Sequence, residues 1–227
     1  MSDSKLTLYG LPTPNGITAS IFLEELKAAY GGPDYEFVKM SISDADIGKV
    51  HNQVKADWFI KLNPNGRIPT IVHNGFPVFE TSAIILYLAS QFDKEHKFSY
   101  DPATDPLNYS EELQWLFFTH GGIGPMQGQA NHFIKFAPED IPYGKNRYLN
   151  ETKRLYNVLA IRLQDRDWLT GPGRGKYALA DIKTYSWVSK SSFIGIDLNE
   201  WPAVKAWVDR IAERPAVKAG SAVGSSS

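Results

Sequence analysis

Short polar stretches stand where a helix is about to begin or a strand is about to open. In Thr13-Pro14-Asn15-Gly16 a hydroxyl and a carboxamide sit at the junction of a Pro/Gly-rich loop and an apolar helix. Backbone N–H groups at a helix start are unpaired and lie at the positive end of the helix dipole, so Thr13 and Asn15 can converge with them on one anion. Glu80-Thr81 precede Ile84, Ile85, Leu86 and Leu88, which makes a second helix start with a carboxylate and a hydroxyl beside it. The intervening run is Asn63-Pro64-Asn65-Gly66-Arg67-Ile68-Pro69-Thr70-Ile71-Val72. Asn-Pro-Asn-Gly is a turn, and Pro69 at the head of a β-rich run is incompatible with an ordinary central strand. A cis Ile68-Pro69 bond is one resolution. It turns the N–H and C=O of Ile68 outward, as a docking edge for an extended peptide.

The elements that must hold these groups follow from periodicity. Leu6 and Leu8 alternate with Thr7 and Tyr9 as in a strand. A loop follows, then a helix over residues 17–30 with Ile21, Phe22 and Leu26 on one face, stopped by Gly31-Gly32-Pro33. A second strand over 35–42 completes a βαβ unit and predicts parallel pairing. Residues 51–62 are weakly patterned. His73-Asn74-Gly75-Phe76 is a hairpin turn of Asn-Gly type that leads into Pro77-Val78-Phe79 and the second helix. Residues 5–92 thus read as βαβ followed by ββα. Residues 93–106, rich in Asp, Pro, Lys and Ser, read as a linker. Beyond it, helices are predicted over about 107–120, 121–136, 144–166, 179–192 and 201–213, with apolar spacing such as Leu155, Val158, Leu159 and Leu163. Residues 216–227, Gly/Ser-rich toward the end, read as a disordered tail.

Composition narrows the function. The 227 residues are enough for one or two domains with a core that needs no staples. Lys and Arg number 24 against 25 acidic residues, without a long block of one sign, which argues against nucleic acid as a partner. No apolar run is long enough to cross a bilayer and residues 1–5 lack the apolar stretch of a signal peptide, so a soluble, cytoplasmic protein is expected. Cysteine is absent, which removes disulfides, thiolate zinc sites and any protein thiol nucleophile. Any thiol chemistry here must use a thiol brought by a ligand. His120 and His132 have no partners at metal-ligand spacing, and no metal site is expected.

Taken together, the turn, the Ile-Pro strand head, the hairpin and the Glu-Thr helix start resemble the glutathione-binding half of the soluble glutathione transferases. The similarity is greatest to their bacterial Nu class and the fungal nitrogen-regulator-like branch, and it runs from about residue 5 to about 214. Its most specific pieces are residues 13–16, residues 63–70, Glu80-Thr81 and residues 124–143. The resemblance implies an α/β thioredoxin-like N-terminal domain at 5–92, the linker at 93–106, an all-α C-terminal domain at 107–215, and a homodimer. It implies that Thr13 and Asn15 stabilise the glutathione thiolate. It also implies that Asn15, Gln53, Arg67, Ile68, Glu80, Thr81 and Arg147 bind glutathione, with the Glu80 carboxylate on the γ-glutamyl ammonium, Thr81 on the α-carboxylate and Ile68 paired with the cysteinyl unit. Trp115-Leu116-Phe117-Phe118, residues 124–129 and His132-Phe133 resemble the stretch that lines the acceptor side.

Each of these residues also has a purely structural reading. Thr13 and Asn15 can cap a helix and fill a turn, Thr81 can be an ordinary N-cap, and Arg67 and Arg147 can be solvated surface arginines. Tyr9 is a rival thiolate partner, but its place within the strand reads as core or sheet face. Ala178-Leu179-Ala180-Asp181 departs from the family's capping box, since Ala178 has no oxygen to cap with, at an expected cost of about 1 kcal/mol. The function expected is glutathione-dependent disulfide reduction with some conjugation of electrophiles. No permanently bound cofactor is expected: glutathione is co-substrate, and the partner a small electrophile or disulfide. A non-catalytic glutathione-binding regulator or ligand carrier is the alternative.

Overall fold

In the computed structural model, which describes residues 5–225, the first alternating run becomes β1 (Leu6–Gly10) and leads into α1 (Pro14–Tyr30). The helix begins at Pro14 rather than residue 17 because Thr13 caps it and Pro14 takes the first helical position, where a missing N–H forfeits no bond. Gly31, at φ 78°, ends it in the left-handed conformation. Then come β2 (Glu36–Lys39), shorter than the predicted 35–42, and a one-turn helix α2 (Asp57–Ile60). β3 (Thr70–His73), β4 (Phe76–Phe79) and α3 (Thr81–Phe92) complete the unit. Asn74 and Gly75, at φ 51° and 84°, form the β3–β4 turn with the positive φ values that a tight hairpin requires.

The sheet order is β2-β1-β3-β4, with β1 and β2 parallel and the other pairs antiparallel. The predicted thioredoxin-like arrangement is therefore present. Successive side chains of a strand point to opposite faces. Leu6 and Leu8 are buried, and α1 and α3 pack on β1 and β3. Tyr9, on the other face, joins Val38, Met40, Val54, Trp58, Phe59, Leu62 and Ile68 in a second apolar cluster.

Residues 96–213 form the helical unit: α4 (Pro106–Phe118), α5 (Gly124–Asn131), α6 (Pro142–Leu163), α7 (Leu179–Val188) and α8 (Pro202–Ala212). α5 is bounded by single π-helical turns at Thr119–Ile123 and His132–Phe136. Every residue of α7 is buried, so it is the helix around which this unit is built. Part of the expected linker belongs to this core, with Phe98 and Tyr100 each 6% exposed. The acidic and proline signals there come from a turn at Asp101 and from the Asp105 cap and Pro106 start of α4. The missing cap at Ala178 is made good from elsewhere. Asp181 accepts from the Ala178 N–H at 3.1 Å, and the Leu179 N–H donates to the Phe98 carbonyl at 2.9 Å.

The expectation of a disordered tail over 216–227 is corrected by α9 (Pro215–Ala222), which packs on α1 within the first unit. The weak helix formers Gly220 and Ser221 are held in the helix by contact. Gly220 has no Cβ, and one placed there would lie 2.4 Å from Ile21 Cα, so the two helices meet backbone to backbone. The Ser20 hydroxyl donates to the Gly220 carbonyl at 2.7 Å, and Arg214 pairs with the buried Glu25 at 2.6 Å. Residues 1–4 and the last two tail residues, 226 and 227, lie outside the described residues. Among the described residues no helix is long and apolar enough to cross a membrane.

Candidate functional site

The strand register puts Tyr9, Thr70 and Phe79 in one row across the sheet, with Gly10 paired to Lys39. Beyond that row the chain continues on β1 into the loop 11–13, precedes β3 as Ile68-Pro69, and leaves β4 as Glu80-Thr81. All of these stretches therefore leave the sheet at the same end, outside the carboxyl ends of β1 and β2, where α/β sheets commonly bind ligands.

At the start of α1, Thr13 Oγ1 accepts from the Gly16 N–H at 3.2 Å, and the Thr13 N–H donates to the Leu11 carbonyl at 2.7 Å. A hydroxyl has one proton and two lone pairs. The cap bond uses a lone pair, and the proton remains for an acceptor beyond the helix end. Capping and anion recognition are thus compatible at this residue. Asn15 is the second residue of the helix, and both side chains are half-buried. Gly16 is required because a Cβ there would lie 1.8 Å from the Leu11 carbonyl oxygen, which rests on the first turn.

The Ile68-Pro69 peptide is cis. Among the described residues the Ile68 N–H and C=O make no hydrogen bond, so the edge is open. Buried Asn63 supports it from behind. Its Nδ2 donates to the Arg67 carbonyl at 2.9 Å and to Thr70 Oγ1 at 3.0 Å, and its Oδ1 accepts from the Asn65 N–H at 3.0 Å. Arg67 itself is exposed, its main chain held by that contact.

Glu80 has φ 70° and ψ 119°, a conformation disfavoured for any residue with a Cβ. Its carbonyl accepts the Ile84 N–H at 2.9 Å and begins α3, while its side chain is exposed. Thr81 is buried directly behind it. Gln53 is buried, and its Nε2 donates to the Ser43 carbonyl at 3.2 Å while its Oε1 accepts from the Lys55 N–H. Both ends of that side chain hold the loop between β2 and α2. Tyr9 packs on Trp58 and Phe59 at 5.7 and 5.9 Å, and burial, helped by Glu36, raises its phenol above the ordinary value. Among the described residues no group of His, Asp and Glu is placed to hold a metal ion.

Residues 4–90 match the glutathione S-transferase N-terminal domain, and residues 125–215 match the C-terminal domain. The disulfide-bond oxidoreductase YfcG of Escherichia coli (strain K12) is 41% identical over 218 residues, which span 93% of this chain and 92% of that protein. The chain belongs to the glutathione S-transferase family. Among solved structures of the family, a glutathione transferase homolog from Lodderomyces elongisporus with two GSH per subunit superposes with a TM-score of 0.85. It shares 42% identity and covers 96% of this chain and 98% of its own. The transferase URE2P8 of Phanerochaete chrysosporium with oxidized glutathione gives 0.83 at 32% identity, over 96% and 93%.

In this glutathione S-transferase, Arg147 lies on α6 of the helical unit with its guanidinium exposed. It lines a cavity of about 490 Å³ with Met126, Tyr143, Asn146 and Glu151. Arg154, bonded to Glu151 at 2.7 Å, holds that carboxyl below the ordinary range, with a weaker pull from Arg147. Of the stretch expected on the acceptor side, Gln127 is buried and used internally. It donates to the Trp187 carbonyl at 2.8 Å and accepts from the Tyr156 hydroxyl at 2.8 Å. The sequence pointed to neither the bracing by Asn63 nor the backbone of Glu80. A turn asparagine signals local bonds, whereas Asn63 spans the whole turn to Thr70.

Proposed function

We propose that this chain is a glutathione-dependent disulfide-bond reductase with some capacity to conjugate electrophiles. The observation that carries the reading is the Thr13–Asn15 pair at the start of α1 in a chain without cysteine. The protein offers hydrogen-bond donors to a thiolate and no thiol of its own. Glutathione docks with its cysteinyl unit on the open Ile68 edge, its ammonium on Glu80 and its α-carboxylate on Thr81 and the N-terminus of α3. Arg67, exposed beside that edge, is a further cationic contact. The neighbours solved with two GSH or with oxidized glutathione support this ligand, and YfcG's name supports the chemistry.

The reaction needs two equivalents of glutathione. The first thiolate attacks one sulfur of the substrate disulfide, which forms a mixed disulfide and expels a thiolate. A second glutathione thiolate attacks the glutathionyl sulfur, releasing the second substrate thiol and oxidised glutathione. Donors at α1 raise the fraction of thiolate at neutral pH. We further propose that the chain works as a homodimer in the cytoplasm.

The test is glutathione-dependent reduction of a small model disulfide, run beside conjugation of a chlorinated nitrobenzene. Reduction faster than conjugation is expected. Glutathione binding with neither activity would replace the enzyme by a ligand carrier.

Glu80→Gly separates binding from folding. A residue held in a sparsely populated backbone region costs about 1–3 kcal/mol, which glycine relieves in part. A charge-assisted bond to the ligand ammonium is worth about 1.5–3 kcal/mol. The variant should keep or raise Tm while the KM for glutathione rises roughly ten- to hundredfold. A lower Tm with unchanged KM would make Glu80 a folding residue only.

A further inference from the structure

Residues 216–225 fall outside both matched family domains, yet they pack on α1 and on the loop that precedes it. Past α9 the chain turns at Gly224, at φ 75°, and comes to rest against Phe37 and Pro12. A Cβ on Gly224 would lie 2.6 Å from two carbons of the Phe37 ring and 3.6 Å from Pro12 Cδ. The same ring lies over Gly10, where a Cβ would be 3.1 Å away. Pro12 belongs to the loop whose Leu11 carbonyl binds the Thr13 N–H at 2.7 Å. Phe37 is thus wedged between the strand that enters the loop and the C-terminal segment, with Pro12 beside it. Earlier in the same segment, the Arg214–Glu25 pair and the Ser20–Gly220 bond tie it to α1.

We propose that the C-terminal segment, residues 214–225, is a positioning element for the thiolate-stabilising loop: by fixing Pro12 and α1 it sets where the Thr13 hydroxyl and Asn15 amide point. This rests on the reading of Thr13 and Asn15 given above. Gly224 is a positioning residue, since it touches no reacting atom and acts through Phe37 and Pro12. Its Cβ-free backbone is needed both for the positive φ and for the close approach. The consequence is that the carboxyl end of the chain tunes the chemistry of a site formed near its amino end.

The test uses the full-length protein, Gly224→Val, and a chain ending at Val223, which leaves α9 intact. The readouts are the pKa of enzyme-bound glutathione from ultraviolet thiolate absorbance, the kcat and KM for disulfide reduction, and Tm. In both variants the bound thiol pKa should rise by about one unit and kcat/KM fall about tenfold, with little change in glutathione affinity. A purely structural role would lower Tm and leave the bound thiol pKa where it was, and that result would overturn the proposal. A parent protein whose bound thiol is not depressed overturns the thiolate reading and this inference together. A depressed thiol in the parent that is unchanged in both variants overturns this inference alone.

Discussion

Asn15→Ala is expected to cut glutathione-dependent disulfide reduction roughly ten- to hundredfold and to leave folding stability within about 0.5 kcal/mol of the parent. The first figure follows from the worth of a hydrogen bond to a charged group, about 1.5–3 kcal/mol, with about 1.4 kcal/mol per factor of ten. The second follows because Asn15 stands inside α1, after the cap, at a half-exposed position. Thr13 behaves differently, since its oxygen caps the helix through Gly16 and its proton is the proposed donor. Thr13→Val removes both functions. It should lose about 1 kcal/mol of stability as well as a similar share of activity. Thr13→Ser keeps both and should resemble the parent. Steady-state kinetics beside thermal melts decide the matter. A Thr13→Val enzyme that loses stability but keeps its rate would reduce Thr13 to a helix cap.

How much of this could be read in the sequence depended on the range of the interaction involved. β1, α1, β3, β4 and α3 were legible because alternation, apolar spacing and the Asn74-Gly75 turn are local signals, each about a turn or a strand long. Apolar periodicity puts the α1 start at residue 17, whereas Thr13 and Pro14 begin the helix three residues earlier. α9 was not legible at all. Its Gly220 and Ser221 signal disorder taken alone, and only the backbone of Ile21, remote in sequence, turns that glycine into a packing contact. The site divides along the same line. Thr13, Asn15, Ile68, Glu80 and Thr81 could be found as strand and helix termini, and the register carries them to one end of the sheet. Gln53 has its side chain committed to Ser43 and Lys55, and Asn63 braces Arg67 and Thr70. Those roles depend on loops closing on themselves, for which composition has no signature.

The largest expected loss of stability comes from the helical unit, at Asp181. This carboxylate is fully buried beneath the start of α7. Its Oδ1 accepts from the Leu169 N–H at 3.0 Å and from Trp207 Nε1 at 2.8 Å, and its Oδ2 accepts from the Ala178 N–H at 3.1 Å. Asp181→Ala strands these donors where water cannot replace the acceptor. At about 1–3 kcal/mol for each orphaned group, partly offset by the removal of a buried carboxyl, the loss should be about 3–5 kcal/mol. Asp181→Asn keeps Oδ1 for two of the donors and turns an amide N–H toward Ala178, for a loss of about 1–3 kcal/mol. The two variants also differ from the parent in pH dependence. Burial pushes the Asp181 carboxyl up from 3.8 to about 7, against the pull of Trp207, Leu169 and Ala178. Between those values the folded chain holds a proton that the unfolded chain has released. The contribution is fully present below the unfolded value and is lost as pH rises through the folded one. Denaturant melts of the parent should therefore show a component of stability that declines from about pH 4 to about pH 7, and Asp181→Asn should flatten it. A parent whose stability rises across that window, with a slope that Asp181→Asn removes, would mean that the carboxylate is ionised in the fold and that the donors outweigh burial.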